Sequence, residues 1–345
     1  MGVTDGASAD AILIWGSGAI GGVLGACFAR AGRAVHMVDT VEDHVAAMRD
    51  PGLRIEGPVE SFSQQLPADT PASLQGKYRR VILAGKAHHT AEVLEQLLPH
   101  LHAEGFVLSA QNGLNERLIA ARLGEKRTMG CFVNFGADWL APGRVLYGNR
   151  AAVALGELDG SETPRPREMH SVFRLVEPEA VMTGNIWGYL WGKLAYGALL
   201  FATALTPASM ADAMASTPHW KVYATLGGEV MHLARAVGVS PLGFNGFDPD
   251  AFASRSDAAI KHSLAAMVSH NRNTAKTHSG IYRDLAVRKR KTEVDAQIGV
   301  LVDLGARHGT ATPALTRLCQ LIHDIEEGRR EQSTALLDEL ALACS

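Results

Sequence analysis

The chain has 345 residues, 47% hydrophobic and 20% charged, with a formal net charge of −3. That length holds two domains with separate cores, and the balance is that of a globular protein. The slight acidity excludes a protein that grips nucleic acid by broad phosphate neutralisation. The four cysteines, Cys27, Cys131, Cys319 and Cys344, have no C-x-x-C spacing, so a reducing, cytoplasmic setting without disulfide or zinc frame is expected.

Residues 1–10 are small and polar, lack the pattern of a signal peptide, and are expected to fray. A strand-length apolar run, Ile12-Leu13-Ile14-Trp15, then meets Gly16-Ser17-Gly18-Ala19-Ile20-Gly21-Gly22 and a helical pattern. This is G-x-G-x-x-G between a strand and a helix. Gly16 permits the tight turn, Gly18 lets a pyrophosphate approach the backbone, and Gly21 lets the helix lie close. Ser17, Ala19 and Ile20 complete the loop, and the helix start offers its N–H groups to phosphate. A second strand, residues 34–38, ends at Asp39, at roughly the 20-residue spacing expected of a ribose-binding carboxylate. The context predicts a dinucleotide-binding domain.

A short polar helix follows and is broken by Asp50-Pro51-Gly52; residues 53–66 read as short strands with turns. Residues 80–84 form a buried strand, with Lys86 in its exit loop and Thr90 as a cap for the next helix. Val93, Leu94, Leu97, Leu98 and Leu101 would share that helix's buried face. Residues 106–109 form the next strand, Gln111-Asn112-Gly113 its exit loop, and a helix runs from 115 to 123. The alternation predicts an α/β Rossmann-type parallel sheet with helices on both faces. Strands at 129–135, 145–147 and 151–156 are expected to extend the sheet's far edge antiparallel. Residues 160–167 form a Pro-rich loop before a short helix.

Helical periodicity takes over near 185, with helices at 187–204, 219–238, 252–270, 288–307 and 314–327. The predicted division is a dinucleotide-binding domain over 11–184 and an all-α domain over 185–345. The richest apolar stretch, 187–205, is interrupted by Lys193 and glycines, so no membrane span is expected. Such an organisation places a substrate cleft between the domains.

Lys86 and Asn112 lie just past strand ends, where ligands bind. Lys86 can reach a phosphate, a carboxylate or the ribose, and Asn112 the nicotinamide or a substrate; a solvated lysine and a turn-forming Asn-Gly are the plain alternatives. Lys193 lies in an apolar, aromatic helix, where it must snorkel, pair with an acid, or face a cleft with a lowered pKa. An alkoxide formed by hydride addition to a carbonyl needs a proton, and a lysine can supply it. Glu293 follows the basic run Arg288-Lys289-Arg290-Lys291, which Glu293 and Asp295 can answer on a solvated helix. The fourteen histidines show no H-E-x-x-H or similar spacing, and no metal site is expected. Ser8 and Ser279 lack G-x-S-x-G context.

In this order, Gly16-Ser17-Gly18-Ala19-Ile20-Gly21-Gly22, Lys86-Ala87-His88-His89-Thr90, Gln111-Asn112-Gly113, Trp191-Gly192-Lys193-Leu194 and Lys291-Thr292-Glu293-Val294-Asp295 resemble the ketopantoate reductase (2-dehydropantoate 2-reductase) family. The resemblance implies a Rossmann domain, a 6-phosphogluconate-dehydrogenase-like helical domain, a possible homodimer, and reduction of a 2-oxo acid by a nicotinamide cofactor. It makes Lys193 the general acid and puts Glu293 in the substrate site. Asn112 and Lys86 would contact cofactor and substrate, and Ser279 substrate, although its spacing to Asp284 is unusual. The segment bearing Glu293 is one residue longer than usual. Asparagines expected four and eight residues after the lysine are Gly197 and Phe201 here. Losing two amides from those substrate-binding positions disfavours ketopantoate and suits a bulkier or more apolar 2-oxo acid. Asp39 stands where NADP-using members carry a basic residue, so NAD is the expected cofactor, with NADP the alternative. Two other readings stay open: a genuine 2-dehydropantoate 2-reductase and a non-catalytic dinucleotide sensor.

Overall fold

A computed structural model describes residues 9–274 and 276–344. All of the expected frayed tail except Ala9 and Asp10 therefore lies outside the described residues. The chain forms two compact units, residues 9–111 with 115–186, and residues 112–114 with 187–344.

The first unit is built on twelve strands. They are β1 (Ile12–Trp15), β2 (Val35–Val38), β3 (Leu53–Glu56), β4 (Phe62–Gln64), β5 (Ala68–Asp69), β6 (Tyr78–Leu83), β7 (Leu101–Ser109), β8 (Thr128–Val133), β9 (Gly136–Ala141), β10 (Arg144–Asn149), β11 (Val153–Glu157) and β12 (Val181–Met182). Eight form one sheet in the order β12-β11-β8-β7-β6-β1-β2-β5. Pairing is parallel from β5 through β8, and β11 runs antiparallel to β8. This is the predicted Rossmann-type arrangement with an antiparallel extension. Along β1, Ile12 and Ile14 point into one core layer, and Leu13 and Trp15 into the other. A strand buried on both faces reads as a continuous apolar run, as it does here.

Three local expectations fail for physical reasons. The strand expected at 145–147, β10, does not extend the main sheet; it pairs with β9, which was not expected as a strand, and with β3 in a separate four-stranded sheet of order β4-β3-β10-β9. Thr90 does not cap its helix, which is preceded by His89; its hydroxyl turns inward instead. Leu101 belongs to β7, because the helix ends at Leu97 and a tight turn, Leu98–His100, intervenes.

The second unit is helical, as predicted, with main helices at Ile186–Thr203, Trp220–Ala236, Asp257–Arg272, Val300–Arg307 and Pro313–Glu326. The single helix expected at 252–270 is two, because Arg255 turns left-handed (φ 56°) and the Ser256 Oγ accepts from the Ala259 N–H to start a new one. That Ser-Asp start was present in the sequence as a cap signal. The helix expected from 288 begins later, because the basic run folds round a buried acid. Asp284, 2% exposed, accepts from Arg288 Nη1 at 3.0 Å and Arg290 Nε at 2.9 Å, and Lys289 takes φ 48°. Asp284 thus answers the basic run, while Asp295 pairs with His323 at 3.0 Å. Three shorter helices, Met210–Ala215, Gly280–Ala286 and Thr334–Ala343, were not predicted. Among the described residues no helix is long and apolar enough to cross a membrane.

Candidate active site

The strand order reverses between β1 and β6, so their exit loops meet at the point where such sheets bind ligands. Gly16 lies there with φ +94°, and a Cβ on it would sit 2.4 Å from the Gly85 backbone nitrogen. A Cβ on Gly21 would sit 2.1 Å from the Gly16 carbonyl oxygen, so only glycine allows the helix Ala19–Arg30 to start this close to its strand. Around Gly18 the opposite holds: no heavy atom lies within 4 Å of where its Cβ would be. Gly18 is the N-cap of that helix, and no side chain caps it. Closed backbone at Gly16 and Gly21, open space at Gly18, and an uncapped helix start at Ala19 and Ile20 together fit a dinucleotide pyrophosphate.

The loop is pinned from behind. The Ser17 N–H donates to Asp39 Oδ2 at 2.9 Å, and the Ser17 hydroxyl donates to the Val38 carbonyl at 3.0 Å. Asp39 Oδ1 accepts from the Val41 N–H at 3.1 Å, the turn that starts the next helix. Asp39 therefore closes a turn at the strand end and keeps acceptor capacity on each oxygen. Glu42 and Asp43 follow in the first turn of that helix.

His44, 1% exposed, has no local signature in the sequence. Its Nδ1 accepts from the Gly143 N–H at 2.9 Å, and its Nε2 lies 2.8 Å from the Ser17 carbonyl. A backbone N–H can only donate and a carbonyl only accept, so these partners require the Nε2–H tautomer. The small second sheet thereby braces the glycine loop through one ring, its Gly143 lying in the β9–β10 turn. Gln111, read from the sequence as part of the exit-loop motif without a role of its own, is a second such brace. Its Nε2 donates to the Gly85 carbonyl and to Thr90 Oγ1, both at 3.0 Å, and Thr90 Oγ1 donates to Asn115 Oδ1 at 3.0 Å. This buried polar chain ties the exit loop that carries Lys86 to the end of β7. Lys86 is exposed, and Asn112 is half-buried and belongs to the second unit.

In the second unit Lys193 is half-buried on the helix Ile186–Thr203. Gly197 and Phe201 follow on the same face at four-residue spacing. Phe201 is fully buried, so its ring packs in the core and faces no open space, unlike the substrate-binding position expected for it. A Cβ on Gly197 would lie 3.5 Å from Gln297 Oε1. Glu293 is 7% exposed, and its carbonyl accepts from the Gln297 N–H at 3.0 Å. The stretch before it is anchored by Glu326 Oε1, which accepts from both the N–H and the hydroxyl of Thr292 at 2.7 Å. One helix face and one anchored segment thus bring Gly197, on the Lys193 face, to Gln297, one turn past Glu293. Ser279 stands apart in role: its Oγ accepts from the Tyr282 N–H at 3.1 Å and caps the helix Gly280–Ala286, with its own O–H left as a donor.

Comparison with known proteins agrees with this arrangement. Residues 12–160 match the family model described as ketopantoate reductase PanE/ApbA, and residues 185–326 match its C-terminal counterpart. A 2-dehydropantoate 2-reductase of Mesorhizobium japonicum is 26% identical over 337 residues, covering 90% of this chain and 96% of its own. Among solved structures, a D-mandelate dehydrogenase with NADH and anilino(oxo)acetate shares the fold with a TM-score of 0.81, at 21% identity, covering 92% of this chain and 98% of that one. A PanE/ApbA family ketopantoate reductase from Ralstonia eutropha does so with a TM-score of 0.76, at 23% identity, covering 93% and 99%. With both family regions matched in order and the dinucleotide cradle formed, the chain belongs to the ketopantoate reductase PanE/ApbA family and is an NAD(P)-dependent oxidoreductase of the 2-oxo acid class.

Proposed function

We propose that the protein interconverts a 2-oxo acid and its 2-hydroxy acid with NAD(H), using Lys193 as the acid and a substrate other than ketopantoate. The observation that carries this reading is the glycine cradle, closed at Gly16 and Gly21, open at Gly18, and backed by a carboxylate instead of a basic group. When bound, the reduced nicotinamide supplies the hydride to the carbonyl carbon. The N–H groups at the start of the helix Ala19–Arg30 hold the pyrophosphate, and Asp39 accepts from the ribose hydroxyls. Two backbone bonds fix the Asp39 carboxylate, so it cannot swing aside for a 2′-phosphate, and Glu42 and Asp43 add to the repulsion. Lys86 and Asn112 contact cofactor and substrate.

Lys193 Nζ gives a proton to the substrate oxygen as the C–H bond forms, and the lysine regains one from solvent. In the oxidative direction the neutral amine takes the hydroxyl proton. Glu293 orients Lys193 or the substrate, and the Ser279 hydroxyl donates to the substrate. The bare Gly197 leaves room for a bulky side chain. The three buried free cysteines suit a reducing, cytoplasmic setting. A homodimer belongs to the same proposal, and light scattering tests it.

The test is a panel of alkyl and aryl 2-oxo acids, ketopantoate included, assayed with NADH and NADPH and in reverse. The expected result is a preference for NADH of ~10-fold or more in kcat/KM, about 1.4 kcal/mol, and an acid reduced faster than ketopantoate. The name of the Mesorhizobium japonicum relative favours a second reading, a genuine 2-dehydropantoate 2-reductase; ketopantoate as the fastest substrate, with NADPH, would establish it instead.

A further inference from the structure

Gln297 is 9% exposed, and its side-chain amide makes no hydrogen bond to any described residue. Its amide atoms are not among the sealed, unpartnered ones, so two donors and an acceptor oxygen stand open to solvent or to a ligand. The group lies in a special piece of backbone. Residues Asp295–Gly299 form a π-helical turn, with the Val300 N–H donating to the Asp295 carbonyl, before the regular helix Val300–Arg307 begins. Such turns are rare and recur at functional sites. The amide faces the helix Ile186–Thr203 at the one position on the Lys193 face that has no side chain, Gly197. No described residue takes up the hydrogen-bonding capacity there.

We propose that Gln297 determines substrate specificity by hydrogen-bonding an oxygen on the side chain of the 2-oxo acid. This rests on the reading of Lys193 as the proton donor to the carbonyl. Gly197 is one helical turn beyond Lys193, a step of ~6 Å along the axis, which is farther than the substrate's own carboxylate lies from its carbonyl. The group that Gln297 meets is therefore carried by the side chain, and the absent Cβ at Gly197 gives that side chain its room. An amide serves a hydroxyl as donor or acceptor, so the class of substrate is a bulky 2-oxo acid bearing a hydroxyl. A site that reads a substrate hydroxyl discriminates strongly against the analogue lacking it.

The experiment compares matched acids differing by one hydroxyl: 4-hydroxyphenylglyoxylate against phenylglyoxylate, and, as a smaller reference pair not expected to include the fastest substrate, ketopantoate against its deoxy analogue 3,3-dimethyl-2-oxobutanoate. Wild type, Gln297→Leu and the volume-conserving Gln297→Met are assayed with NADH, with melting temperature and NADH affinity measured alongside. Wild type should favour the hydroxylated acid of at least one pair by 10-fold or more in kcat/KM, mostly through KM. Both variants should bring that ratio near one while melting and NADH affinity stay put. A wild type without preference, or a preference that survives in the folded variant, overturns the assignment of Gln297. Failure of wild type to reduce any of the four acids overturns the underlying reading of the reaction, and this proposal with it.

Discussion

The two units specify their chemistry in different ways. In the first, the proposed cofactor site is made of backbone: Gly16, Gly18 and Gly21 matter for side chains they lack, and Ser17, Asp39 and His44 hold main-chain groups in place. In the second, the proposed chemistry resides in side chains on packed helices, Lys193 on one helix and Glu293 and Gln297 on another segment about a hundred residues away. A site made of backbone tolerates no added atoms, whereas a site made of side chains can be retuned residue by residue without moving its scaffold. The substrate side is thus where members of one fold can diverge.

Adding a methyl group to the first unit should break it most severely. Gly21→Ala would place a carbon 2.1 Å from the Gly16 carbonyl, so helix and loop must part. The expected cost is on the order of 4 kcal/mol, read as a ~10³-fold weaker NADH Kd by fluorescence titration. A variant binding NADH normally would show that the pyrophosphate lies elsewhere. A gentler break is His44→Ala, which strips partners from the Ser17 carbonyl and the Gly143 N–H. Each buried group left unpaired costs about 1–3 kcal/mol, so a lower melting temperature and ~10-fold weaker NADH binding are expected; unchanged NADH affinity would dismiss the brace.

The same methyl group in the second unit should do the reverse. At Gly197 the new Cβ meets Gln297 Oε1 at 3.5 Å, an ordinary contact. Gly197→Ala should therefore raise helix stability by about 0.5–1 kcal/mol, a small rise in melting temperature, while lowering kcat/KM for the bulkiest acids. Lower stability would mean that the glycine is there for packing.

This contrast also explains what could be read from the sequence. The glycine spacing, the apolar strands and the exit-loop positions of Lys86 and Asn112 are local, so they carry their meaning within a few residues. His44 acts through Gly143, 99 positions away, and no local pattern encodes that bond. Asp284 collecting Arg288 and Arg290 is nearer in sequence, yet it turned an expected helix into a turn, because burial of the acid outweighed helical periodicity. The strand at 145–147 was legible but its sheet was not, and β9 was not read at all, since pairing partners are a matter of tertiary packing. Gln297 had a weak signal, an amide one turn after Glu293 in an otherwise apolar stretch.

The division of labour is tested most directly by Lys193→Ala, with NADH affinity and turnover measured on the same preparation. Backbone binding and side-chain chemistry being separate, kcat should fall by roughly 10²–10⁴ while the NADH Kd stays within about twofold of wild type. A variant that keeps its turnover, or one that loses NADH binding together with turnover while still folded, would contradict the assignment of the proton to Lys193.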